Sequence, residues 1–241
     1  MKLSLVIPAY NEEKIIEAAV QTAVNYLDRS FPNDYELIVV SDGSTDSTAG
    51  KLEAMTALYP TLVCAGYEVN KGKGCAVRTG MMRAKGDYVV FTDCDLAYGI
   101  AIVGAIAERA EQTGADIVIG SRAIAAEGYA GYTPLRKIMS KTYLALIKLV
   151  TGFKHSDSQC GIKCFTNAAA HDIFGRMTLN GFSFDLEALM LADKLGYKTA
   201  ELPAIIINHR ESSVYPVRDA LRMLRDVRQI KRNFKDGKYG G

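Results

Sequence analysis

The sequence predicts an α/β fold, a mostly parallel sheet with helices on both faces. Short β-branched runs alternate with helix-spaced segments through about the first 120 residues, and such alternation produces parallel strands joined by crossover helices. The composition agrees. A chain of 241 residues that is 49% hydrophobic and 23% charged buries a sizeable core and is too apolar to stay disordered.

Residues 3–8 (LSLVIP) form the first buried-strand run, and helical spacing follows over 13–28. ELIVVS at 36–41 is the second strand, and the helix over 47–59 has Asp46 or Ser47 to cap it. A weak strand at 62–65, a helix over 73–85 and a strong strand at 87–92 (DYVVFT) come next. A helix over 100–113 and the strand DIVIG at 116–120 complete this half. After Arg122 the rhythm changes. A Gly/Ala/Tyr loop at 125–133 leads to a helix over 134–150 with Pro134 in its first turn, where a missing N–H has no helical partner to lose. Residues 151–161 are polar and irregular, 162–166 a strand, and 168–174 a short helix. The helix over 183–195 ends at Gly196 as its C-cap. The extended run 199–208 carries Pro203, which confines it to a sheet edge or a bulge. A final helix covers 217–234. There is no internal repeat and no low-complexity linker, so the chain reads as one domain over 1–215, changing character after 122, with a helix and tail over 216–241.

In an open parallel sheet the ligand lies outside the carboxyl ends of the strands, so the residues there are the candidates for chemistry. The first strand runs into PAYNEE. A dinucleotide oxidoreductase places GxGxxG at that turn, where glycine admits a pyrophosphate to the backbone. Pro8, Tyr10, Asn11 and Glu12 stand there instead, which argues against a dehydrogenase. The second strand ends in SDGSTDST, with Asp42 set to accept hydrogen bonds from a base ring or ribose. Turn and cap chemistry is the competing reading of Asp42, Ser44 and Asp46. The fourth ends in TDCDL, where Asp93 and Asp95 lie two apart as strand opens into loop. Both carboxylates can face one hard cation, which a pair of carboxylates and diphosphate oxygens commonly hold together. One such pair is weak evidence alone; three motifs at the ends of parallel strands are much stronger.

Taken together, VIPAYNEE, VVSDGSTDST, NKGKGCAVRTG, FTDCDL and DIVIGSR resemble the inverting family-2 glycosyltransferases of the nucleotide-sugar-binding A-type fold, over residues 3–215. Within that family the chain looks most like the polyprenyl-phosphate sugar synthases, the dolichyl-phosphate glucosyltransferases and mannose synthases. That narrower likeness rests on GSR at 120–122, on Arg136 with Ser140 one helical turn later, and on DSQCGIKCF at 157–165. GFSFDLE at 181–187, ELPAIIINHRESS at 201–213 and RDALRMLRDV at 218–227 add to it. Two positions depart from the family pattern: Ser41 replaces the first of two usual aspartates, and ESSVY follows Arg210 where GxSK is usual.

The resemblance implies a GT-A-type, Rossmann-like sheet with a nucleotide-sugar half at 1–122, an acceptor half at 123–215 and a C-terminal amphipathic helix. It implies that Pro8, Tyr10, Glu12, Asp42, Lys73, Asp93 and Arg210 bind the donor, and that Asp93 and Asp95 hold Mg2+ or Mn2+ on its diphosphate. Arg122, Arg136 and Ser140 would bind the acceptor phosphate, and Asp93, Asp95, Arg122, Arg136 and Asp185 make up the catalytic set. The implied reaction moves a hexose, glucose from UDP-glucose, onto a polyprenyl or dolichyl phosphate with inversion to a β linkage. GDP-mannose as donor, or a saccharide hydroxyl as acceptor, is the alternative. A phosphate monoester whose second ionisation lies near pH ~6 is already a nucleophile at neutral pH and needs no general base. Several residues keep a second reading: Arg122 and Arg136 as surface ion-pair partners, Lys73 and Arg78 as solvated cations, and Asp157 and Asp185 as structural acceptors rather than sugar-positioning groups. A nucleotidyltransferase would need a Gly-rich loop and a lysine after the first strand, which PAYNEE does not supply. A non-catalytic nucleotide-sugar sensor is the third reading.

Charge bounds the partners. Twenty-nine basic against 27 acidic residues leave +2, too little bias for a dedicated nucleic-acid binder. Residues 216–238 alone carry eight basic and three acidic side chains, +5 against −3 for the rest. On the last helix, Val217, Ala220, Leu221, Met223, Leu224, Val227, Ile230 and Phe234 cover one broad sector beside a basic stripe of Arg218, Arg222, Arg225, Arg228, Arg232 and Lys235. Such a helix suits a membrane interface, or else packs on the domain with its basic face solvated; the segment 135–153 is the second candidate for interfacial contact. The apolar, uncharged stretch 96–107 has only twelve residues, short of a bilayer span, and the first residues do not read as a secretion signal. The expected location is the cytoplasm, peripheral on the cytoplasmic face of a membrane. Five cysteines without a CxxC pair read as free thiols, Cys160 and Cys164 lacking a second pair for a metal. His155 and His171 read as surface or cap residues, while His209 adjoins Arg210.

Overall fold

Alternation of side chains between two cores along the strands sets the architecture. In β1 (Leu3–Ala9), Leu3, Leu5 and Ile7 pack into one core and Val6 into another; in β2 (Tyr35–Asp42), Leu37 and Val39 oppose Ile38 and Val40 in the same way. A sheet buried on both sides demands this pattern. The computed structural model describes residues 2–208 and 216–240, without the side chains of 135, 136 and 216–222.

The remaining elements are α1 (Ile16–Ser30), α2 (Thr48–Thr56), β3 (Leu62–Tyr67), α3 (Lys73–Met81), β4 (Tyr88–Thr92), α4 (Ile102–Thr113), β5 (Ile117–Ser121), α5 (Pro134–Thr151), β6 (Ile162–Thr166), α6 (Asn167–Arg176), α7 (Phe184–Leu195), β7 (Thr199–Pro203) and α8 (Pro216–Lys235). The strand order is β3-β2-β1-β4-β6-β5-β7. β6 runs antiparallel between β4 and β5, and the other pairings are parallel. Helices α1, α2 and α4 cover one face; α3 and α5 to α8 contribute to the core on the other. Each fully buried Leu, Ile, Val or Phe side chain contributes about 1.5–3 kcal/mol.

The structure refines the sequence reading at element ends. β7 stops at Pro203 on the sheet edge, and residues 204–208 then lie over the loop after β4, where Ile207 N and Asn208 Nδ2 donate to Ala97 O at 2.8 Å and Leu96 O at 2.9 Å. α3 ends at Met81 rather than 85, because Lys85 N donates to Glu36 Oε1 at 2.6 Å and Asn167 Nδ2 holds Gly86 O at 2.9 Å. Asp46, not Ser47, caps α2: its Oδ1 accepts from Thr48 N at 2.9 Å and Thr48 Oγ1 at 2.5 Å. Gly196 takes the left-handed conformation (φ 81°) that ends α7. On α8, Val227 and Ile230 are buried in the core and Phe234 is half-buried against it, while Arg225, Arg228 and Arg232 are exposed. The described apolar residues of that helix thus face the domain. Among the described residues no helix is long and apolar enough to cross a membrane.

Candidate active site at the carboxyl ends of the strands

Two loops leave the sheet through strained backbone. Asn11, after β1, has φ 54°, and Leu96, after β4, has φ 47°. Such conformations cost energy in non-glycine residues and persist where the surroundings fix them. Asn11 is fixed on both sides: its N donates to Ser44 Oγ at 3.1 Å and its Oδ1 accepts from Thr45 N at 2.8 Å. Glu12 N donates to Thr48 Oγ1 at 2.8 Å. The loop after β1 is therefore stitched to the loop after β2, with Pro8 buried in the strand and Tyr10 46% exposed at its end.

Leu96 lets the second loop turn directly beyond the acidic pair, where Asp95 Oδ1 accepts from Ala97 N at 3.1 Å. Lys73, the first residue of α3, reaches across so that its Nζ lies 2.5 Å from Asp93 Oδ1. Burial alone would lower the Lys73 ammonium, but Asp93, Asp185 and Asp95 together raise it above its ordinary value. Burial and the neighbouring Asp93 charge push the Asp95 carboxyl up, and Lys73 offsets this only in part. Glycines make the crowding possible. A Cβ on Gly161 would lie 2.2 Å from Asp93 Oδ2, and one on Gly74 would lie 2.6 Å from Phe184 Cβ.

Beneath the acidic pair, Asp185 in the first turn of α7 is 4% exposed and accepts from Lys163 Nζ at 2.5 Å. Lys163 is fully buried on β6, donates also to Cys160 O at 2.8 Å and lies 5.3 Å from the Phe91 ring centre. Burial raises the Asp185 carboxyl above its usual range despite the charges of Lys163 and Lys73. Asp185 is thus an internal ion-pair partner below the site, not a solvent-facing carboxylate.

The sequence puts Asp42 against a base or ribose. In the structure its carboxylate accepts from Tyr67 Oη at 2.6 Å, Lys71 N at 2.9 Å, Gly72 N at 3.0 Å and Asn70 Nδ2 at 3.0 Å. The residue is 3% exposed. Its immediate effect is to fold residues 67–72 into the turn that launches Lys73, with Gly72 at φ 101°.

On the other side of the sheet's midline, Arg122 follows β5. Its Nε and Nη2 donate to Asp157 at 2.7 and 2.8 Å in a two-pronged pair, and its Nη1 donates to Tyr132 Oη at 2.8 Å. Burial alone would raise the Asp157 carboxyl; the hydrogen bonds and charge of Arg122 hold it below the ordinary range. Arg122 is 8% exposed and forms, with Tyr129, Lys141, Leu144, Ala145 and Lys148, the wall of a cleft of about 360 Å³. Ser140 is half-buried on α5, near enough to the Tyr129 hydroxyl to act on its ionisation. Arg136 lies on α5, but its side chain is outside the described residues, as are Arg210 and His209 entirely. Arg78 donates to Met177 O and Asn180 Oδ1, both at 2.9 Å. His155 and His171 pair with Asp193 and Ala84 O, each at 3.1 Å, in structural positions. The five cysteines are free, and among the described residues no cluster of three or more metal-ligating side chains forms.

An α/β sheet that gathers an acidic pair, a facing lysine and braced loops at its carboxyl ends has the arrangement expected of a nucleotide-sugar transferase of the A-type fold. The family model for glycosyl transferase family 2 matches residues 4–174. Dolichyl-phosphate beta-glucosyltransferase ALG5A of Trichomonas vaginalis is 34% identical over 95% of this chain and 72% of its own length. The dolichyl-phosphate beta-glucosyltransferase of Saccharomyces cerevisiae is 28% identical over 98% and 76%. Among solved structures, glucosyl-3-phosphoglycerate synthase from Mycobacterium tuberculosis, in complex with Mn2+, UDP and glucosyl-3-phosphoglycerate, superposes with a TM-score of 0.69 at 21% identity, covering 95% of this chain and 78% of that one. The chain belongs to glycosyltransferase family 2.

Proposed function

We propose that the chain transfers glucose from UDP-glucose to dolichyl or polyprenyl phosphate, with inversion to a β-linked lipid-phosphate sugar. The observation that carries this reading is a division of charge across the sheet's carboxyl edge. An acidic pair with a lysine counter-ion stands at the end of β4, and a half-apolar cleft walled by Arg122, Lys141 and Lys148 stands beyond β5. The first suits a metal-bound diphosphate, the second a phosphate carried on a hydrocarbon chain. The likeness to dolichyl-phosphate beta-glucosyltransferases supports the same pair of substrates.

Asp93 and Asp95 fit a divalent cation, since two carboxylates meet at one strand end and one already pairs with an ammonium. Mg2+ or Mn2+ bound there offsets the charge that builds on the departing nucleoside diphosphate. The chain's own groups do the rest. Pro8, Tyr10 and Glu12 shape the donor side after β1, Asp42 braces the turn that presents Lys73, and Lys73 and Arg210 draw the diphosphate. Arg122, Arg136 and Ser140 hold the acceptor phosphate, whose oxygen attacks the anomeric carbon as the bond to the diphosphate oxygen breaks. That oxygen carries no proton to remove. Asp185, closed off by Lys163, accordingly serves as a positioning group and not as a base.

Transfer of radiolabelled glucose from UDP-glucose into an organic-extractable product, requiring both dolichyl phosphate and Mn2+, tests the proposal. Equal or greater transfer from GDP-mannose, or label that stays in the aqueous phase on a saccharide, would replace it.

A further inference from the structure

We infer that α5 is the surface that docks this enzyme on an anionic bilayer; the inference rests on the lipid-acceptor reading above and names the element that meets the membrane. Ile138 and Leu149 are 62% and 84% exposed. With Ala145 they stand at i, i+11 and i+7, on the side of the helix opposite the buried Ile147. Ile147 is the one buried side chain among the described residues of this helix, and an apolar stripe left in water on its far side is a contact surface awaiting a partner.

Charge says which partner. From Gly128 to Ser156 the chain has five basic residues, Arg136, Lys137, Lys141, Lys148 and Lys154, and no acidic one. Lys137, Lys141 and Lys148 follow at i, i+4 and i+11, forming a row along one border of the stripe. Lysines so placed lay their methylenes along apolar surface while their ammonium groups reach lipid phosphates. A second copy of the chain would bring the same positive face, and like charges oppose that contact.

The row also fixes direction, because Lys141 and Lys148 line the cleft that holds Arg122. A bilayer seated on Ile138 and Leu149 therefore lies at the mouth of that cleft, and a lipid phosphate enters it without leaving the interface. α8 is unsuited to the same task through its described residues, since Val227 and Ile230 are already buried in the core. It adjoins α5, with Lys231 Nζ donating to Val150 O at 3.0 Å, and adds positive charge beside it.

The test is sedimentation of the full chain with phosphatidylcholine vesicles, with and without phosphatidylserine. Wild type is expected to sediment with the anionic vesicles, and Ile138→Asp/Leu149→Asp to lose about tenfold or more of that binding with an unchanged melting temperature. Arg225→Gln/Arg228→Gln/Arg232→Gln is expected to keep most of it. Undiminished binding by the α5 variant, no vesicle binding by wild type, or loss confined to the α8 variant overturns the inference. So does a vesicle-free change in sedimentation coefficient of the α5 variant with vesicle binding intact, which identifies the stripe as a contact between copies. Transfer to detergent-dispersed dolichyl phosphate is expected to be unchanged in the α5 variant. Failure of wild type in that detergent assay strikes the functional reading alone.

Discussion

The ammonium of Lys73 lies 2.5 Å from Oδ1 of Asp93, with Asp95 close enough for its charge to act on both. A protein cation thus pairs with one member of the acidic pair proposed to hold the metal ion. On that proposal the lysine competes with a bare cation and cooperates with a diphosphate.

Lys73→Met is therefore expected to act in opposite senses on two ligands. Mn2+ alone should bind more tightly, since a like charge has gone, while UDP in the presence of Mn2+ should bind about tenfold more weakly, about 1.4 kcal/mol. Calorimetry on both ligands checks the pair of signs. Loss of both affinities together would mean that Lys73 merely supports the loop.

Asp157 is expected to make stability depend on pH in a defined direction. Its carboxyl titrates below the ordinary range when folded, because Arg122 binds the charged form. Its contribution is complete above the unfolded value of about 3.9 and fades as pH falls through the lower folded value. Asp157→Asn leaves the Arg122 charge buried and should cost about 3 kcal/mol at neutral pH, the gap to wild type closing in acid. Denaturant melts at neutral and acidic pH measure this; a gap that widens in acid contradicts it.

Lys163 and Asp185 are expected to be coupled. Lys163→Met leaves a buried carboxylate without its partner and should destabilise by about 3–5 kcal/mol. Lys163→Met/Asp185→Leu removes both charges and should recover part of that loss. A double-mutant cycle gives the coupling directly, and additive losses would show that the pair is not a unit.

Tyr239 ties the segment after α8 to the start of α3. Its Oη donates to Glu187 Oε1 at 2.7 Å, and Glu187 in turn accepts from Thr178 N and Leu179 N at 3.0 and 2.8 Å. The next residue, Asn180, accepts from Gly74 N at 2.8 Å at the start of α3. Tyr239→Phe should cost about 1–2 kcal/mol and weaken nucleotide binding while leaving acceptor KM unchanged. A variant with wild-type stability and nucleotide affinity would break the proposed connection.

The strand and helix order was legible because β1, β2, β4 and β5 are apolar runs bounded by turn residues, and their ends carry PAYNEE, SDGSTDST, TDCDL and GSR. What escaped the sequence is long-range pairing. Lys163 sits in IKCFT, where alternation reads a lysine as solvent-facing, and its partner Asp185 is 22 residues away. Asp42 reads as a turn residue or a ligand contact, and nothing local shows that Tyr67 and Asn70, at 25 and 28 residues' distance, fold back onto it. The α8 pattern shows an apolar face but not what covers it. The α5 pattern shows apolar residues all round, and only exposure separates Ile138 and Leu149 from Ile147.

The central claim is that Asp93 and Asp95 bind a donor nucleotide through a divalent cation. Calorimetric titration of UDP-glucose, with Mn2+ and with chelator, into wild type and Asp95→Ala tests it most directly. The account predicts binding by wild type that requires Mn2+ and is lost in the variant; binding of equal strength under chelation, or in Asp95→Ala, contradicts it.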